Sequence, residues 1–161
     1  MDSIFIGYDP RETEAFEVCR HSIRKHNNGL PIYALDLSEL RRSGYYRRPT
    51  SIRDGKLWDD ISEAPMSTEF AISRFLTPIL AKQLPCGNGK RGWAVFMDCD
   101  MLVRDDMGYL FHELKLMPDK AVACVKHNYE PQNSLKMDGQ EQTRYARKNW
   151  SSVMAFNLDH P

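Results

Sequence analysis

The chain lacks the features that would announce a specialised class. It has no excess charge of either sign, because 22 lysines and arginines balance 22 aspartates and glutamates. Nothing global therefore points to nucleic acid or to an anionic surface. No apolar run approaches the roughly 20 residues that a bilayer-spanning helix needs, so stable membrane insertion is not expected. The opening MDSIFIGYDPRE is acidic at once and its short apolar run ends in charge, unlike a secretory signal. Metal and redox spacings are missing among the cysteines Cys19, Cys86, Cys99 and Cys124. Cys19, Cys99 and Cys124 lie in apolar periodic sequence, which reads as buried thiols in a reducing compartment, so the expected location is the cytoplasm. Internal repeats and low-complexity tracts are also missing. What remains is 161 residues of ordinary globular composition, enough for one domain with a real core.

Turn residues and hydrophobic periods divide the chain. SIFIGYD reads as a short buried strand closed by Pro10. A helix is expected from about Glu12, with Ala15, Phe16, Cys19 and Ile23 on one face, ending near Gly29 and Pro31. PIYALDL is a second strand. Residues 41–66 show no sustained period and read as a long loop, functional or disordered. STEFAISRFLTPILAKQL reads as a largely buried helix bearing Phe70, Phe75, Leu76, Ile79 and Leu80, capped by Ser67 or Thr68 and kinked at Pro78. CGNGKRG is a turn, WAVFM a strand, MGYLFHEL a short helix, and KAVACVKH and NWSSVMAFN two further strands. This alternation predicts an α/β layer fold with a mainly parallel sheet flanked by helices. In such sheets ligands bind at the carboxyl ends of strands, where Asp9, Asp98, Asp100 and His127 fall.

The stretch WAVFMDCDMLV places Asp98 and Asp100 in an otherwise apolar run. In an extended strand, residues i and i+2 share a face at about 6.5 to 7 Å. Two such carboxylates repel unless a cation sits between them. A hard divalent ion, Mg²⁺ or Mn²⁺, meets that need with one or two carboxylates plus substrate phosphates. The plainer alternative is that Asp98 caps a turn while Asp100 pairs with Arg104.

WAVFMDCDMLVRDDMGYLF resembles the D-x-D segment of nucleotide-sugar-dependent glycosyltransferases of the GT-A fold, in the style of glycosyltransferase family 8. IFIGYDPRE is similar to that family's first strand, STEFAISRFLTPIL to its arginine-bearing helix, and NWSSVMAFN to a later strand. The match runs in order over most of residues 3–158 and leaves 41–66 unmatched. The resemblance implies a Rossmann-like GT-A domain over 1–161, with an acceptor-binding part expected beyond it. It implies that Gly7, Tyr8 and Asp9 hold the uracil and ribose. Arg74 would reach the diphosphate or donor sugar, and Asp98 and Asp100 would bind Mn²⁺ or Mg²⁺. Trp150, Ser151 and Ser152 stand where the family has Asn, a small residue and Gly, and they line the donor sugar in this reading. Without the family, Arg74 is an isolated cation on an apolar helix and needs a partner, and a pair with Asp98 or Asp100 that only holds the fold serves equally.

The implied activity is transfer of a sugar from a nucleotide diphosphate sugar, UDP-linked by expectation, to an acceptor hydroxyl that the residues do not identify. No general base is assigned. A non-catalytic nucleotide-sugar-binding module is the second reading. A phosphatase of the haloacid dehalogenase type, with its first Asp as nucleophile, is the third, although its D-x-D normally lies near the chain start. His127 is a lesser candidate for the cleft. Arg41, Arg42, Arg47, Arg48, Arg53 and Lys56 form either a lid over a diphosphate or a solvated cationic loop.

Overall fold

Two uninterrupted apolar runs, Ile4–Ile6 and Trp93–Met97, are buried throughout. Continuous burial on both faces is the mark of strands inside a covered sheet. The computed structural model describes residues 1–27, 29–85, 89, 91–127 and 148–161, with backbone alone at 127 and 148–150. In chain order the elements are β1 (Ser3–Tyr8), α1 (Thr13–Lys25), β2 (Ile32–Asp36), α2 (Leu37–Arg42), β3 (Thr50–Arg53), β4 (Lys56–Asp59) and β5 (Ala64–Pro65). There follow α3 (Phe70–Ser73), α4 (Thr77–Ala81), β6 (Trp93–Met97), α5 (Met107–Lys115), β7 (Val122–His127) and β8 (Lys148–Asn157). Among the described residues no helix is long and apolar enough to cross a membrane.

The main sheet has the order β2-β1-β6-β8-β7. β2, β1 and β6 run parallel, while β8 runs antiparallel to both of its neighbours. The protein is thus α/β with a mixed sheet, in which β8 alone runs against the other four strands. The crossover from β6 through α5 to β7 leaves a gap one strand wide, and β8 fills it in the reverse direction. On α1, Phe16, Cys19, Ser22 and Ile23 face the core at helical spacing.

The segment 70–81 departs from its expected face. A 3-10 turn at Arg74–Leu76 separates α3 from α4, and Pro78 sits in the first turn of α4, where its missing N–H is harmless. The buried residues are Phe70, Ser73, Arg74, Thr77 and Ala81, whereas Phe75 and Ile79 are 55% and 49% exposed. Neither Ser67 nor Thr68 caps the helix. The Asp9 carboxylate does so from another element, accepting from Glu69 N–H at 3.0 Å.

Residues 41–66 are not an open loop, although Arg41, Arg42, Arg47, Arg53 and Lys56 among their cations are exposed. They include an antiparallel sheet, β3-β4-β5. Asp54 and Gly55 both have positive φ, 51° and 73°. Asp-Gly is the preferred pair for such a two-residue hairpin turn. Several of the cations are engaged internally: Arg41 with Thr50, Arg42 with Glu39, Arg48 with Asp59 at 2.6 Å, and Arg53 with Asp60 at 2.8 Å. Arg53 also lies over the Trp58 ring.

The Arg48 hydrogen bond, with help from Ser62, holds the Asp59 carboxyl well below its ordinary value of 3.8. A carboxyl depressed by folding stabilises the protein above its unfolded value, and that stabilisation is lost as pH falls towards the folded one. The urea midpoint is therefore expected to drop once pH passes below about 3.8, and Arg48→Met should flatten that drop. Identical acid profiles for the two proteins would contradict the assignment.

Candidate functional site

β1 leads through α1 to β2 on one side, while β6 lies on its other side. The carboxyl ends of β1 and β6 therefore meet at the point where strand order reverses, the usual position of a ligand crevice in an open α/β sheet. Asp9 and Asp98 immediately follow these two strands. A cleft of about 490 Å³ opens there, lined by Asp100 and by residues 10–15, with Arg11 and Glu12 among them.

The two aspartates do not share a face in the manner of an extended strand. β6 ends at Met97, and Cys99 and Asp100 form a turn. Asp98 N–H donates to Ser152 O at 2.8 Å, which fixes the start of that turn. Asp98 is consequently mostly buried and Asp100 exposed. Arg74 Nη1 lies 3.1 Å from Asp98 Oδ1, with the two side chains only 10% and 19% exposed. The pair is close but not aligned as a hydrogen bond, and Asp98 Oδ1 is a buried acceptor without a hydrogen-bond donor. Burial raises the Asp98 carboxyl above its ordinary value, and the charges of Asp100 and Glu12 act in the same direction. Arg74 and the Ser152 hydroxyl oppose them without cancelling the effect.

Arg74 is held on every side. Its guanidinium stands 5.5 Å from the Phe70 ring centre and 5.0 Å from that of Phe96. Nη1 donates to Ser151 O at 2.9 Å and Nε to Phe70 O at 3.3 Å. Burial lowers its pKa, and Asp98 and Asp100 partly restore it. This is the partnership with Asp98 that the sequence left open.

Ser151 and Ser152 reach the site through an irregularity in β8. Cys124 pairs with Met154, yet the next residue, Val125, pairs with Trp150. Residues 151–153 therefore have no partner on β7, and the bulge turns Ser151 towards Arg74 and Ser152 towards Asp98. Trp150 and His127 have described backbones in β8 and β7, and their side chains lie outside the described residues, as do Cys86–Asn88 and Lys90 of the expected turn.

At the end of β1 the structure gives two of the three candidate residues to the frame. A Cβ on Gly7 would stand 2.5–2.7 Å from three Phe70 ring carbons, so the space beside Gly7 is occupied by Phe70. Gly7→Ala is expected to cost about 1–3 kcal/mol in urea denaturation through overpacking, and Phe70→Leu in the same chain should recover part of it. An unchanged midpoint for Gly7→Ala would contradict this packing. Asp9 is fully buried and accepts from Arg11 N, Nε and Nη2 and from Glu69 N, all within 2.7–3.0 Å. Burial alone would raise its pKa, but those donors bring it below the ordinary value. Tyr8 is half-buried, edge-on to Phe16 at 5.1 Å, with its hydroxyl 3.3 Å from Thr13 Oγ1.

Sequence reasoning missed Arg11, Glu12 and the thiol between the aspartates. Cys99 Sγ donates to Glu12 Oε2 at 3.0 Å. Burial, then Glu12, pushes the Cys99 thiol up, and burial pushes Cys19 up to about 11, so both stay protonated and unreactive. No local signal marks Glu12, since its partner is 87 residues away.

Among the described residues no three His, Cys, Asp or Glu side chains gather as a ready-made metal cage. The site does offer the Asp98 carboxylate, whose Oδ1 is ion-paired with Arg74 but receives no hydrogen bond, and an exposed carboxylate on Asp100 in the wall of an open cleft. That donor set fits a hard divalent ion that takes its remaining ligands from water and a diphosphate.

Protein CDI of Arabidopsis thaliana is 44% identical to the chain over 161 residues, an alignment covering 98% of this chain and 53% of that protein. The chain thus spans about half the length of the curated relative it matches. No family model matches the chain, and no solved structure matches it.

Proposed function

We propose that this domain is GT-A-like and binds a nucleoside diphosphate sugar, UDP-linked, in the crevice between β1 and β6, for transfer of the sugar to an acceptor hydroxyl. The observation that carries this reading is the meeting of mostly buried Asp98 and exposed Asp100 at the strand-order reversal. Asp100 and Asp98 would hold Mn²⁺ or Mg²⁺. The ion, when bound, supplies positive charge that neutralises a departing diphosphate.

The chain's own residues supply the rest. Arg74, fixed by two rings and the Ser151 carbonyl, presents a preorganised positive charge beside the same place. The bulge brings Ser151 to Arg74 and Ser152 to Asp98, and in this reading their hydroxyls would serve the donor's polar groups. Asp9 is fully committed to protein donors, so it holds the start of α3, which leads into Arg74, and contact with the base falls to the Tyr8 ring. A phosphatase reading needs Asp98 as an open nucleophile, and its clasp by Arg74 opposes that role.

Calorimetric titration with UDP, GDP and CDP, each with and without Mn²⁺, tests the proposal. UDP is expected to bind tightest and to require the ion. Equal weak binding of all three, indifferent to Mn²⁺, would overturn it. Sugar transfer by a longer chain bearing this domain, lost on chelation, separates an enzyme from a module that only binds.

A further inference from the structure

Helix α1 and the residue just before it run as a splint along the segment that follows β6. Cys99 Sγ donates to Glu12 Oε2 at 3.0 Å, and Cys19 Sγ–H points at the Asp98 carbonyl at 3.9 Å. Further along, Val103 N–H donates to Ser22 Oγ at 3.0 Å, and Met107 N–H to His26 O at 2.9 Å. Positions 12, 19, 22 and 26 are spaced by seven, three and four, which places them along one helical face. Residues 98–107 lie along that stripe, but only the Cys99–Glu12 contact is made by a side chain of the turn that carries Asp100. Cys99 is 1% exposed, so water does not compete for its proton, and Glu12 lines the cleft together with Asp100.

We propose that Cys99, the residue between the two aspartates, is a positioning residue whose thiol, through Glu12, fixes the turn that aims Asp100 into the cleft. This rests on reading the cleft as the nucleotide and metal site. A thiol suits the position because it fills an apolar space and still donates a hydrogen bond to the carboxylate. An alanine there keeps the burial and removes the donor, whereas a serine keeps the donor.

Hydrogen exchange of the 98–107 amides and Mn²⁺ binding in the presence of UDP, read from the paramagnetic resonance of unbound Mn²⁺, test the proposal on the same chains. Cys99→Ala is expected to speed exchange in the turn about tenfold and to weaken Mn²⁺ about tenfold, the lower range for losing a hydrogen bond to a charged group. Cys99→Ser is expected to restore both to within about threefold of the unmodified chain, and Glu12→Ala to reproduce Cys99→Ala. Equal behaviour of the Ala and Ser chains, or an unchanged Glu12→Ala chain, would overturn the proposal. Should the unmodified chain hold no Mn²⁺ with UDP, the reading of the cleft fails by itself. The exchange contrast then decides the turn alone: an Ala–Ser difference upholds its fixing by Cys99, and no difference overturns it.

Discussion

Asp100→Ala is expected to weaken Mn²⁺-dependent UDP binding by about a hundredfold or more. Loss of a partner one step removed from a metal already costs about 10- to 100-fold in affinity, and Asp100 is the direct ligand in this account. The fold should barely respond. Asp100 is exposed, and its charge opposes ionisation of Asp98, so its removal relieves repulsion rather than breaking a support. Stability is expected to stay within about 0.5 kcal/mol, as for surface changes generally. Asp119→Ala, an exposed aspartate paired with Lys120, serves as the control and should change neither quantity. Calorimetry and thermal melting on the three chains give the result. An Asp100→Ala chain that still binds UDP in an Mn²⁺-dependent way would remove Asp100 from the site.

Arg74→Ala is expected to give the largest loss of stability. It strips the counter-charge from Asp98, the donor from the Ser151 carbonyl, and the packing against the Phe70 and Phe96 rings. Breaking a buried ion pair from one side costs about 3–5 kcal/mol, and residual exposure of this pair argues for about 3. In a domain of this size that lowers the melting temperature by roughly 6–12 °C. Lysine should recover less than half, because a point charge neither packs against two rings as a planar guanidinium does nor keeps the fork of donors.

The pH dependence has a definite sign. Burial raises the Asp98 carboxyl in the folded state, so its ionised form destabilises the fold, and removing Arg74 enlarges that penalty. The Arg74→Ala deficit is therefore expected to be full above the raised value and to narrow as pH falls towards 3.8. Denaturant titrations at several pH values measure it, and a deficit that widens on acidification would contradict the assignment.

The sequence was most informative where a residue's environment is local. WAVFM reads as a buried strand because every side chain in it is apolar, and it is one. The position of Asp98 and Asp100 at a strand's carboxyl end was equally legible. Their relative orientation was not, because the strand stops at Met97 and a turn follows, held by a carbonyl of Ser152 that is distant in sequence. The direction of β8 was also illegible, since an apolar alternation pairs either way. Asp9 shows the same limit: its neighbours suggested a ligand contact, whereas Glu69, 60 residues on, supplies a donor that makes it a helix cap. The β3–β4 hairpin is a different case. Asp54-Gly55 between SIR and KLW was a hairpin signal in plain view, obscured by the surrounding arginines. The face of α3 and α4 went wrong because Ser73, Arg74 and Thr77 are polar yet buried, and a count of apolar spacing cannot anticipate a guanidinium packed against two rings.

Crystals grown with Mn²⁺ and UDP, measured at the manganese absorption edge, test the central claim most directly. The account requires one anomalous peak in the crevice between β1 and β6, about 2 to 2.3 Å from an Asp100 oxygen and bridging to the diphosphate. A nucleotide bound with no ion beside Asp100 would contradict it, and so would ion and nucleotide together in the cleft of about 600 Å³ at the opposite pole, lined by Asp2, Trp93 and Asp159.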